Sequence, residues 1–413
     1  MNGPGSLRPR LRSLEAFPVE HEGERRLALR DPSGLTEQVA VFPRPLLDLV
    51  SLFDGEHSVD EMREVLAKRH GAAPTVEEIA RLIEELDGAG FLDSEQLHAR
   101  RRAIDLAYRR SPVRPAAHAG GAYAGDPGAL AAQIDGFFTH PDGPGRPAAG
   151  PSAASPALRG LVAPHIDFHR GGPVYAWAYR ELLERSDADC FVVLGTCHGG
   201  MADPFAVTLK PFETPGGRVA VDVDLYEGLA RRAGQDLLAS EPAHRHEHSV
   251  ELQAVMLQHL LGSRRPFTIL PVLASYVHEA VWDRRDPEAD ARVPGFIDGL
   301  LSAMAASGRR VCLVAGVDLA HVGPRFGDPE PNTAPSLEAV EAADRRMLEA
   351  VTGGDAVEFF AAVAADGDRR RICGLAPLYT FLRALPGARG RLIRYAQWPD
   401  PEGAVSFCAA ALT

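Results

Sequence analysis

A chain of 413 residues, 45% hydrophobic and 24% charged, exceeds the usual single-domain size and can bury two cores. Its formal net charge of −12 repels phosphate and disfavours wholesale nucleic-acid binding. With no membrane-length apolar run, no signal-peptide core at the N-terminus and only five scattered cysteines, a cytoplasmic protein without a disulfide framework or membrane partner is expected.

Residues 14–32 alternate and are read as a hairpin turning at His21, Glu22 and Gly23. Leu46, Leu47, Val50 and Leu52 give helical spacing between 43 and 53. Ser58 with Glu61, and Thr75 with Glu78, are capping boxes, in which a hydroxyl and a carboxylate satisfy free amides at a helix start. The first helix buries Met62, Val65 and Leu66 and stops at Gly71. The second sets Ile79, Leu82, Ile83 and Leu86 on one face and stops at Gly88, before a short strand at Gly90, Phe91 and Leu92. Residues 1–100 therefore make a small winged-helix arrangement. Its second helix, VEEIARLIEELDG, carries five acidic residues and one Arg, and such a recognition helix would repel DNA. A structural or dimerisation module is the plain alternative. The pattern FDGEHSVDEM…TVEEIARLIEELDGAGFLD is similar to the PqqD-like winged-helix modules, which implies peptide binding.

Residues 97–110 read as a basic helical linker into a second domain, 101–413. Asp126 and Pro127 start a helix, and the Pro/Gly/Ala/Ser-rich stretch 139–158 is expected to be a mobile loop. Beyond 160 strands and helices alternate. Strands are expected to end near His165 and His198, with others over 205–210, 267–274, 391–397 and 404–412, and one running from 311 to 321. Helices are expected over 173–185, 223–233, 248–261, 294–306, 336–352, 355–364 and 375–384. This alternation predicts an α/β fold, a three-layer sandwich around a mostly parallel sheet.

The stretch FVVLGTCH, residues 191–198, organises that domain. Its apolar, β-branched run closed by Gly195 reads as a buried parallel strand ending in His198. LVAPH delivers His165 in the same way, and VCLVAGVDLAH delivers Asp318 and His321. In an open α/β sheet the carboxyl ends of the strands are where ligands bind, so these side chains should converge. Neutral imidazole is the commonest protein ligand for first-row metals. His248 and Glu251 sit three apart on a predicted helix and read as an acid/base pair. His244 and His246 are expected in the preceding loop, facing solvent.

Six stretches occur in order: PHIDFHRGG (164–172), VVLGTCHGG (192–200), FETPGGRVAVD (212–222), EHSVELQ (247–253), GVDLAHVG (316–323) and ICG (372–374). Together they resemble the motifs of the MEMO family, called AmmeMemoRadiSam system protein B in bacteria and archaea, over roughly 115–413. The resemblance implies a fold similar to class III extradiol dioxygenases. It implies metal ligands His165, His198 and Cys373, and further pocket residues His248, Asp318 and His321 in catalytic roles. Iron(II) or copper suits two imidazoles and a thiolate, with zinc less expected. A metal-dependent redox enzyme follows, acting on a peptide or protein, with radical-SAM and AMMECR-type proteins as implied partners. The rivals are a non-catalytic metal- or peptide-binding protein and a zinc hydrolase. Two departures stand out: Asp167, His169 and Arg170 add polar groups at the pocket mouth, and Cys197, read as a small buried residue, precedes His198. Cys373, near a helix start and after a run of arginines, is expected to have a lowered pKa.

Overall fold

The computed structural model describes residues 3–21, 23–148, 150 and 157–413. Residue 22 of the expected turn, and 149 and 151–156 of the expected loop, lie outside the described residues. The chain divides into two compact units, the first ending at Arg110 and the second beginning at Ser111.

In the first unit β1 (Glu15–His21), β2 (Glu24–Arg30) and β3 (Val39–Phe42) form an antiparallel sheet in that order. Four helices follow: α1 (Arg44–Val50), α2 (Val59–His70), α3 (Val76–Gly88) and α4 (Glu95–Arg110). Both capping boxes form. Ser58 and Glu61 exchange bonds at 2.7 and 3.3 Å, and Thr75 and Glu78 at 2.8 and 3.2 Å. Gly71 ends α2 in the left-handed conformation, at φ 75°, which costs glycine little. Leu92 makes an isolated bridge to Leu11 in place of the short strand expected there. The linker expected over 97–110 lies within α4. Leu29, Phe42, Phe53, Met62, Ile79, Leu86 and Phe91 fill the core.

The second unit opens with α5 (Pro127–Thr139), capped by Asp126, then β4 (Gly160–Ala163), α6 (Phe168–Arg185) and β5 (Cys190–Thr196). Short strands β6 (Phe205–Val207), β7 (Phe212–Thr214) and β8 (Gly217–Val221) precede α7 (Val223–Ala230) and α8 (His248–Leu261). Next come β9 (Thr268–Ala274), α9 (Val277–Asp283), α10 (Arg292–Ala306), β10 (Val311–Gly316) and β11 (Asp318–Val322). The chain continues with α11 (Ala334–Gly353), α12 (Ala356–Ala364), α13 (Leu375–Arg383), β12 (Gly390–Trp398) and β13 (Ala404–Leu412).

These strands form one ten-stranded sheet ordered β11-β13-β4-β10-β5-β9-β8-β7, with β12 on β13 and β6 on β9. Its centre, β4-β10-β5-β9-β8, is parallel, and both edges are antiparallel. Alternation along β5 shows why helices cover both faces. Cys190, Val192 and Leu194 join a core with Leu229 of α7, Phe296 of α10 and Phe381 of α13. Phe191 and Val193 join another with Ile134 of α5, Tyr179 of α6 and Met256 of α8. The result is a mixed α/β domain around a large sheet with a parallel heart.

Two glycines set the distance between sheet and helix at the carboxyl edge. A Cβ on Gly195 would lie 2.5 Å from Ser249 Oγ, and one on Gly316 would lie 2.6 Å from the Ser249 carbonyl. Only bare backbone lets the first turn of α8 rest against the ends of β5 and β10. The Ser249 hydroxyl then donates to the Thr196 carbonyl at 2.8 Å. No helix among the described residues is long and apolar enough to cross a membrane.

Candidate metal centre

Each strand of the parallel core ends in backbone groups that fix the next side chain. Past β4, the amides of His165 and Ile166 donate to one Asp318 carboxylate oxygen at 3.0 and 3.2 Å. His165 Nδ1 donates to the Gly316 carbonyl at 2.9 Å. A carbonyl only accepts, so the proton is on Nδ1 and Nε2 carries the lone pair. Past β5, the His198 amide donates to Glu247 at 2.8 Å, and its Nδ1 lies 3.0 Å from the same carboxylate. His248 opens α8 with Nδ1 3.3 Å from Glu247.

The ligand atoms of His165, His198 and His248 all lie within 4.8 Å of one another. Ring centroids stand 4.6 Å apart for His198 and His248, 4.9 Å for His165 and His198, and 5.1 Å for His165 and His248. Cys373 Sγ sits 3.2 Å from His165 Nε2 and 3.6 Å from the Asp318 carbonyl. The Cys373 carbonyl accepts from Thr196 at 2.9 Å, which ties the ICG turn to the end of β5. His165 is buried, His248 half-buried and His198 exposed, so the cluster has one open side.

Burial pushes the His165 pKa down to about 3 and sends that of His248 well below its ordinary value. Burial also disfavours a charged His198, but the Glu247 carboxylate outweighs it and raises that pKa. Burial would raise Glu247; the two imidazoles and the Ser249 amide win and hold it well below the carboxylate range. Asp318 goes the other way, pushed up to about 6 by burial. His321 is lowered by burial. Its Nδ1 donates to Leu319 at 3.1 Å and its ring meets Phe326 edge-on.

Several expectations need correction. The single strand expected from 311 to 321 is broken at Val317 into β10 and β11, and Asp318 and His321 both lie on β11, whose register slips between them. Glu251 is no partner of His248. It is fully buried, in an ion pair with the fully buried Arg114 and accepting from Tyr123 Oη and the His118 amide. His244 does not face solvent: it is 1% exposed, with Nε2 3.0 Å from the Ala206 carbonyl. His246 is half-buried, with the His118 ring 4.8 Å away. The Cys373 pKa is raised well above its ordinary value, not lowered, because burial and the Asp318 carboxylate outweigh the helix start. Cys197 is buried, and burial pushes it up to about 12.

Asp167, His169 and Arg170 cluster at the start of α6. Arg170 reaches Asp167 at 3.7 Å and donates to His169 at 3.3 Å, while the His169 ring meets Trp398 edge-on at 6.2 Å. Sequence reasoning passed over Glu247 and Arg114. Glu247 stood in the quoted EHS stretch, two residues before the close-packed Ser249; Arg114 gave no local signal.

The fold and this edge define an α/β protein with a histidine-rich candidate metal centre at the carboxyl ends of its parallel strands. The Memo-like protein profile matches residues 114–412. A MEMO1 family protein of Aquifex aeolicus is 26% identical over 392 residues, covering 94% of this chain and 95% of that protein. Another, of Methanothermobacter thermautotrophicus, is 29% identical over 296 residues, 70% of this chain and 95% of its own. A third, of Thermus thermophilus, is 27% identical over 338 residues, 82% and 93% of the two chains. This chain belongs to the Memo-like protein family.

Proposed function

We propose that this Memo-like protein is a metal-dependent redox enzyme, with iron(II) or copper as its ion and zinc as the less suitable choice. The observation that carries the reading is Cys373 Sγ 3.2 Å from His165 Nε2, with the His198 ring 4.9 Å from that of His165 at the same sheet edge. These three residues would hold the ion, which would supply redox chemistry at a coordination sphere left partly open. His321 is neutral near pH 7, with Nδ1 committed to a carbonyl, so its Nε2 can accept a proton. Asp318, poised near 6, can hold or release one. His248 completes the group of pocket residues.

The sheet is compatible with a class III extradiol dioxygenase-like sandwich, but a thiolate in place of a carboxylate means that ring cleavage does not follow from the fold. In this reading the first unit is a PqqD-like winged-helix module that presents a peptide or protein. The acidic face of α3 favours that over DNA. Radical-SAM and AMMECR-type proteins are the proposed partners, in the cytoplasm.

Anaerobic metal analysis of freshly purified protein, with spectra before and after air, tests the proposal. Stoichiometric iron or copper and an oxygen-dependent spectral change are expected. Bound zinc without oxygen sensitivity would favour a hydrolase, and absence of metal would favour a non-catalytic binding protein.

A further inference from the structure

We infer that His248 is a third imidazole ligand of the same ion, and that Glu247 is the carboxylate that orients two of the three. The inference rests on the metal-binding reading above and changes its ligand set.

Nitrogen ligands stand about 2.0–2.1 Å from a first-row ion, which places ligands of one ion roughly 3–4 Å apart. The ligand atoms of His165, His198 and His248 already lie within 4.8 Å of one another, so small side-chain movements close the set. Among the described residues, no other group of three or more His, Cys, Asp or Glu brings its ligand atoms so close.

The tautomers agree. His165 commits Nδ1 to a carbonyl, and His198 and His248 both turn Nδ1 toward Glu247. All three therefore offer Nε2. Metal-bound histidine ordinarily gives its other ring nitrogen to a carboxylate or carbonyl, which fixes tautomer and ring direction. Here one carboxylate serves two rings. It is 5% exposed and held by the amides of His198 at 2.8 Å and Ser249 at 2.9 Å. The close approach at Gly195 and Gly316 fixes the first turn of α8, and with it His248, at this edge. A general base needs its lone pair beyond the metal, aimed at substrate; the ligand atom of His248 lies within 4.8 Å of those of the other two.

The test begins with wild-type protein loaded with iron(II) anaerobically, or with copper, and read by X-ray absorption. Three imidazoles are expected. Titration of His248→Ala with the same ion should show at least a tenfold loss of affinity and one imidazole fewer, with partial rescue by free imidazole. Glu247→Gln should lose roughly 10–100-fold. Two imidazoles in the wild type, together with unchanged affinity in His248→Ala, would overturn the assignment while leaving the metal enzyme intact. A wild-type protein that binds neither ion overturns both readings. The wild-type spectrum decides the point even if a variant fails to fold.

Discussion

Arg114 donates to the main-chain carbonyl of Glu247 at 2.6 Å, across more than a hundred residues of chain. Its other nitrogens reach the carbonyls of His244 and Pro115, at 2.9 and 2.7 Å, and the Glu251 carboxylate. A single buried guanidinium therefore fastens the turn that carries the histidine-holding carboxylate.

Breaking this pair should cost far more than exchanging both members. Arg114→Met leaves the Glu251 charge buried and should destabilise the protein by about 3–5 kcal/mol. Arg114→Met with Glu251→Leu should recover much of that loss, since apolar replacement of a buried pair is often neutral or better. Metal affinity should stay low in the double variant, because nothing then holds the Glu247 carbonyl. Denaturant unfolding and metal titration read the two effects separately; full metal affinity in the double variant would reduce Arg114 to a stabilising role.

Cys373→Ser should lose most of its bound iron or copper and keep its fold. In apo protein, alkylation of Cys373 should be slow at pH 7 and speed up toward alkaline pH, since burial and Asp318 raise the thiol pKa and only the thiolate reacts. Metal-loaded protein should resist labelling throughout. Equal labelling of both forms, with full metal in the Ser variant, would remove Cys373 from the site.

His321→Ala should abolish turnover and leave metal content near normal. The side chain rests on Phe326 and the Leu319 carbonyl at the slipped register of β11. Elemental analysis beside an oxygen-consumption assay separates the roles, and loss of stoichiometric metal would make His321 a ligand.

Removing residues 1–110 should leave a folded, metal-binding domain, because the ten-stranded sheet and every proposed ligand lie beyond that point. A cut at 100 would instead sever α4. Circular dichroism and metal content of the truncated protein check this, and a product that cannot fold would make the two units interdependent.

Asp31 sets the acid limit of the first unit. It is 5% exposed and accepts from Arg12 at 2.7 Å and from the amides of Ser33 and Thr36 at 2.8 and 3.0 Å. Burial would raise its pKa, but these donors win and hold the carboxyl well below its ordinary value. A depressed carboxylate stabilises fully above its unfolded pKa, about 4, and loses that contribution as pH falls toward the folded value. Hydrogen-exchange protection at Leu35 and Thr36 should therefore fall below about pH 4. Asp31→Asn should lose about 2 kcal/mol at pH 7 and remove most of that pH dependence.

Local rules carried much of this molecule. The capping boxes at Ser58 and Thr75, the glycine stop at Gly71 and the apolar run into His198 need only neighbours a few residues away, and each was legible in the chain. The convergence of His165, His198 and Asp318 was legible too, because parallel strands deliver their ends to one edge. Tertiary structure decided the rest. Which carboxylate served His248 depended on Arg114, 137 residues from Glu251: a buried charge needs a partner, and Arg114 drew Glu251 away and left Glu247 to the imidazoles. His244 was buried by packing against β6, and the Cys373 thiol was raised by burial and by a carboxylate that reaches it only through the fold. Spacing along a chain fixes what a residue's neighbours can do; desolvation and charge pairing depend on what folding brings from far away.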